Sequence, residues 1–109
     1  MKPAPITRPQ SLRDVALESV SYHDFGANLK DFLHEFSDAR QRSAPLAPML
    51  CDAPPRLAGR FAEGRICDAF LAGTADYLAR SSALVTPAWA MSADLVLEDP
   101  WFSEPLLGV

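Results

Sequence analysis

The sequence predicts an all-α fold: a small bundle of three to four helices with an irregular, Pro- and Trp-rich C-terminal strap. Three observations carry that expectation. Apolar residues recur at helical spacing in two long runs, 24–39 and 60–80. The ten prolines fall between these runs rather than inside them, as expected of a residue that breaks helix interiors. No segment alternates apolar and polar residues convincingly, and neither Asn-Gly nor Asp-Gly marks a hairpin.

Residues 1–10 contain Pro3, Pro5 and Pro9 and read as a flexible arm. Ser11 follows as a helix N-cap, with Asp14 three residues on, and Leu12, Val15, Ala16 and Val20 take helical spacing. A helix is expected over about 12–21. Asp24 is the expected cap of the next helix, 24–39. There Phe25, Leu29, Phe32, Leu33 and Phe36 form one stripe, while Lys30, Asp31, Glu35 and Asp38 fall outside it. Burying each large side chain contributes about 1.5–3 kcal/mol, so this helix should be central to the core.

Leu46, Met49 and Leu50 suggest a short apolar turn, with Pro48 near its start. Asp52 to Gly59 reads as a loop, because Pro54-Pro55 excludes helix. In the run 60–80, Ile66, Ala69, Phe70, Gly73, Tyr77 and Leu78 share a face. Gly73 on that face would permit the close approach of another helix; the plainer reading is a helix-weakening glycine. Ser81-Ser82 ends the pattern. From about 83 to 109 lies the strap: Pro87, Trp89, Pro100, Trp101, Phe102, Pro105, Leu106, Leu107 and Val109, with Ser92 the expected cap of a short turn through Leu97. Residues 11–109 are therefore expected to form a single helical domain that includes the strap.

The chain of 109 residues is long enough for one core without disulfides or metal. Its apolar share of 49% excludes disorder throughout. The net charge of −4 is unevenly placed. No base follows Arg80, whereas Asp94, Glu98, Asp99 and Glu104 do, so the residues up to Arg80 balance and the whole excess belongs to the last quarter. Phosphate binding needs a basic face, which argues against nucleic acid as a partner. The alternative of a DNA-binding regulator would rest on Arg56, Arg60 and Arg65, which Asp52, Glu63 and Asp68 dilute. Neither a signal-peptide pattern nor a run of about 18 apolar residues is seen, so a cytoplasmic protein not bound to membrane is expected.

No catalytic, metal or cofactor pattern is found. His23 and His34 are eleven residues apart and do not share a helix face. Cys51 and Cys67 are not in CxxC spacing, so surface histidines and reduced, buried cysteines are the simpler reading. Asp31 and Glu35 stand at i, i+4, a spacing that suits acid–base work only when buried; opposite the Phe stripe they read as a solvated face. The residues most suited to meeting another protein are Trp89, Glu98, Asp99, Trp101 and Phe102. Tryptophan is enriched at interface hot spots, and the flanking acids would speed encounter with a basic groove. The competing reading is intramolecular, with the same rings strapped over the chain's own helices. Self-association of copies is compatible with either reading.

Several pieces resemble a group of short helical bacterial proteins encoded beside nucleotidyltransferase-like proteins in toxin–antitoxin-like gene pairs. They are Asp31-Phe32-Leu33-His34-Glu35-Phe36, Met49-Leu50, Asp52-Ala53-Pro54-Pro55, Asp68-Ala69-Phe70-Leu71-Ala72, Tyr77-Leu78-Ala79, Pro87-Ala88-Trp89-Ala90 and Glu98-Asp99-Pro100-Trp101-Phe102. The likeness spans roughly residues 25–102, and the Pro-Ala-Trp and Pro-Trp-Phe pieces are its most specific parts. It implies an all-helical fold and an antitoxin-like or accessory role toward a nucleotidyltransferase-like enzyme, and it supplies no catalytic residues. It also implies a basic, aromatic continuation after Phe102 that the printed chain does not carry.

Overall fold

A computed structural model describes residues 8–92. The fold is all-α, with four helices: α1 (Leu12–Glu18), α2 (Tyr22–Gln41), α3 (Ala47–Leu50) and α4 (Gly64–Ser81), followed by a 3₁₀ turn at Ala88–Met91. No strand forms among the described residues; a single isolated bridge joins Ala58 and Phe61. None of these helices is long and apolar enough to cross a membrane.

Serine caps start both N-terminal helices. The Ser11 hydroxyl accepts from the Asp14 N–H at 3.1 Å, as the Ser-x-x-Asp pattern requires. Ser21 plays the same part for α2, accepting from the Asp24 N–H at 3.1 Å. The expected cap, Asp24, is instead the third helical residue, and its carboxylate accepts from the Val20 N–H at 3.3 Å. The helix expected over 12–21 ends at Glu18, because Ser19 turns extended and buries its hydroxyl. That hydroxyl donates to the Val15 carbonyl at 2.6 Å and accepts from Asn28 at 3.0 Å, tying α1 to α2. Val20, expected on the α1 stripe, consequently lies 70% exposed in the link.

The expected arm over 1–10 is shorter at its inner end. Pro9 is fully buried, and Arg8 and Gln10 both reach the Glu35 carboxylate at 3.3 Å. Residues 1–7 lie outside the described residues.

The core gathers Leu12, Val15 and Ala16 of α1, Phe25, Phe32, Phe36 and Ala39 of α2, Met49 and Leu50 of α3, and the inner side of α4. Leu29 of the α2 stripe is half-buried against it, and Leu33 is 39% exposed at the stripe's edge. Pro48 sits at the second position of α3, where its missing N–H has no helical partner to lose.

The structure corrects the reading of α4. Its core face is Gly64, Cys67, Asp68, Leu71, Ala72, Ala75, Leu78 and Ala79. Of the face expected from the sequence only Leu78 is buried; Ile66, Ala69 and Phe70 are half-buried, and Gly73 and Tyr77 are exposed. Gly73 accordingly has no neighbour near it in the chain. The glycine that does permit close approach is Gly64: a Cβ there would overlap the Leu57 carbonyl.

Helices α2 and α4 run parallel. Tyr22, at the start of α2, feels the charges of Cys67 and Glu63 at the start of α4, and Arg40 near the end of α2 donates to Ser82 beyond the end of α4 at 3.3 Å. The connection through α3 and the loop returns the chain to the starting end. Both helices finish in the same way. Ser43 and Ala83 adopt φ of 58°, and the next N–H groups, of Ala44 and Leu84, bond back to the carbonyls of Ala39 and Ala79. These are Schellman ends built on residues other than glycine.

The first part of the strap packs on the helices. Thr86 donates to Asp76 at 2.9 Å, and the 3₁₀ turn lies against α4. Ser92 closes that turn. The expected turn through Leu97 and the rest of the strap, 93–109, lie outside the described residues.

Candidate groove between α2 and α4

Two surfaces flank α4. The first surrounds Trp89, one of the residues expected to meet a partner. Its indole N–H donates to the Leu50 carbonyl at 2.9 Å, and the half-buried ring packs against the core. A buried Trp finds a partner for its N–H in this way, so the ring closes the junction of α3 and α4. The cavity beside it, lined by Ala53, Pro54, Arg56, Asp68 and Leu71, holds only about 40 Å³, room for little more than a water molecule. The other expected contact residues, Glu98, Asp99, Trp101 and Phe102, lie outside the described residues.

Asp68 organises this junction. One carboxylate oxygen accepts from the Leu57 N–H at 2.7 Å and the other from the Ala58 N–H at 3.0 Å. The side chain is buried and holds the loop to α4, which seats Leu57 fully inside the core. Sequence reasoning took Asp68 as a surface charge and missed Leu57. The available signal was the pair of backbone donors left after Pro54-Pro55, which need acceptors once the loop is buried. Arg56, Arg60 and Arg65 are exposed around the turn that follows, with Gly59 at φ 89°.

The second surface is a groove of about 450 Å³ where α2 and α4 meet. It is lined by Leu33, Ala69, Phe70, Gly73, Tyr77 and Leu78. It arises because the outer side of α4 turns away from the core, with Leu33 of α2 as its other wall. Tyr77 is 69% exposed, and the absent side chain of Gly73 leaves a dent beside it. The crease continues past Leu33 to Ser37, Arg40 and Gln41.

The charges around the crease are sorted by helical spacing. Lys30, Leu33, Ser37 and Arg40 share one edge of α2, and Asp24, Asp31, Glu35 and Asp38 share the other. On the acidic edge Glu35 is held by Arg8 and Gln10, and Asp38 by Arg42. On the groove edge, Lys30 and Arg40 meet no carboxylate among the described residues. Across the crease, near the end of α4, Arg80 pairs with Asp76 at 2.9 Å. Hydrogen bonds from Arg80 and Thr86 hold the Asp76 carboxyl below its ordinary pKa.

Two titratable groups near the start of α4 are perturbed by burial. Cys67 is fully buried, and burial, then the neighbouring Asp68 and Glu63 charges, push its thiol up to about 12. A thiol so placed stays protonated at neutral pH, the opposite of an activated nucleophile. Burial also raises the Tyr22 hydroxyl, reinforced by Cys67 and Glu63, and this hydroxyl has no hydrogen-bond partner among the described residues. His23, His34 and Cys51 are exposed. Among the described residues, no group of three His, Cys, Asp or Glu side chains is placed to hold a metal ion.

Compared with protein-family models, with curated proteins and with solved structures, the chain matches none.

Proposed function

We propose that this is a non-catalytic protein-binding protein whose contact surface is the groove between α2 and α4. The observation that carries the reading is an open apolar groove, floored by Phe70, Gly73 and Tyr77 and continuing past Leu33 to Arg40. Its chemistry suits a segment with bulky apolar side chains and flanking carboxylates, the apolar groups filling the floor and the acids meeting the basic edge. The partner proposed from the sequence resemblance is a nucleotidyltransferase-like enzyme, toward which the chain would act as an antitoxin-like or accessory protein in the cytoplasm.

The test is co-expression with the product of a neighbouring nucleotidyltransferase-like gene. A complex that co-elutes with the wild-type chain and is lost with Tyr77→Glu is the expected result. Independent elution of the two wild-type proteins, or a complex indifferent to Tyr77→Glu, overturns it.

A further inference from the structure

The walls of the groove limit what can fill it. Given the groove as the contact surface, on which this inference rests, we propose that its occupant is an amphipathic α-helix of the partner, lying antiparallel to α2 and α4 with an acidic first turn at Arg40.

Both walls are helices whose backbone groups are already used. Ala69 to Tyr77 lie in the interior of α4 and Leu33 in that of α2, clear of the helix ends where N–H and C=O groups lack helical partners. Near the end of α4, the Leu78 carbonyl accepts from the Ser82 N–H at 3.1 Å. No strand edge borders the groove among the described residues. Its lining there is apolar apart from the hydroxyls of Thr74 and Tyr77. An extended segment pressed into this surface would bury N–H and C=O groups that nothing can pair, each weakening binding about tenfold. A helix closes its own backbone hydrogen bonds and presents side chains alone, so it escapes that loss. It can also set a large side chain into the dent at Gly73, where an added Cβ would meet no atom within 4 Å.

Direction follows from the parallel course of the walls. Arg40 near the end of α2 meets Ser82 beyond the end of α4, so the negative ends of both helix dipoles lie together there. A third helix running the other way brings its positive N-terminus to that end. Helix N-termini favour Asp and Glu in the first turn, and Arg40 is the cation placed to meet them. It is exposed and lines the polar end of the crease with Ser37 and Gln41. It pairs with no carboxylate among the described residues, whereas Arg42 and Arg80 are held by Asp38 and Asp76. From Ala69 to the level of Ser82 the crease runs about 20 Å, room for about three to four helical turns.

A displayed library of random peptides of about 16 residues, long enough for those turns, supplies the probe. It is selected on the full chain and counter-selected on Tyr77→Glu and Gly73→Leu. Both positions are exposed, and either variant suffices should the other fail to fold. Resynthesised groove-dependent binders should gain helical circular dichroism on binding. They should carry apolar residues at i, i+3 or i+4 and i+7, with Asp or Glu in the first turn. Moving that acid to the last turn should weaken binding several-fold, as should Arg40→Glu, and a Lys in the first turn should restore binding to Arg40→Glu. Groove-dependent binders that are proline-rich, or that alternate apolar and polar residues, overturn the inference and leave the contact surface standing. So does an acid preferred in the last turn, or indifference to Arg40→Glu. A selection that yields no binder, or whose every binder ignores Tyr77→Glu and Gly73→Leu, overturns the contact surface itself.

Discussion

The two sides of α4 invert the usual relation between side-chain size and burial. Its inner face is made largely of small groups, Gly64, Cys67, Ala72, Ala75 and Ala79, and is buried almost completely. Its outer face carries Ile66, Phe70 and Tyr77 and stays half-buried or exposed. The absent side chain of Gly64 lets α4 come close to the loop at Leu57, and close packing there excludes water. The bulky side is left over and becomes the wall of the groove. Apolar periodicity thus locates a helix but does not say which of two apolar sides meets the core.

The contrast can be broken or sharpened experimentally. The largest difference concerns thiol chemistry. Cys67 on the inner side is raised from 9.0 to about 12, so at neutral pH it carries about a thousandfold less thiolate than an ordinary cysteine. An aromatic disulfide reagent should therefore titrate one thiol, Cys51, in the native protein and both after denaturation; rapid native reaction of two thiols would contradict the packing. The same shift fixes a pH dependence. The folded pKa lies above the unfolded one, so at alkaline pH the unfolded chain loses its proton first. Stability from this group is complete below about pH 9 and falls as pH rises toward 12, and urea titrations of Cys67→Ala should lack that fall.

Next in size is an alanine placed on either side of the helix. Gly64→Ala drives a methyl into the Leu57 carbonyl and should cost about 3 kcal/mol. Gly73→Ala meets nothing and should raise stability by about 1 kcal/mol through helix propensity. Denaturant midpoints of the two variants should move in opposite directions; a shared direction would mean that the outer face is packed after all.

Asp68→Ala leaves the Leu57 and Ala58 N–H groups without their acceptor and should cost about 2 kcal/mol. Hydrogen exchange at those two amides should rise far more than elsewhere in the loop. The smallest effect is expected at the end of the helix. Ala83 sits at φ 58°, so Ala83→Gly should stabilise by about 0.5–1 kcal/mol, since glycine takes that backbone region without strain. Thermal unfolding would read it, and a loss of stability would refute the assigned helix end.

Much of the architecture was legible in the chain. The Ser11 cap, the three-Phe stripe of α2, the Pro48 turn and the break at Ser81-Ser82 all follow from local rules, because capping and periodicity involve residues a few positions apart. Errors arose where a local rule had two solutions. Ser21 and Asp24 each suit a cap, and the serine took that role while the aspartate reached back to Val20. A bond such as that of the Trp89 N–H to Leu50, 39 residues away, obeys no local rule at all. The groove itself was visible only as an apolar list around Gly73, since nothing in that list distinguishes an outer wall from a core face.

By itself the sequence determined the all-α class, the approximate limits of the long helices and the acidic imbalance beyond Arg80, because these depend on propensity, spacing and charge along the chain. Tertiary structure alone decided that α2 and α4 lie parallel, that Asp68 is buried beneath the loop, and that the bulky side of α4 faces outward. The reason is steric and collective. Which side of a helix is buried depends on how closely its neighbours can approach, and that distance is set by residues such as Gly64 and Leu57 only once they meet in space.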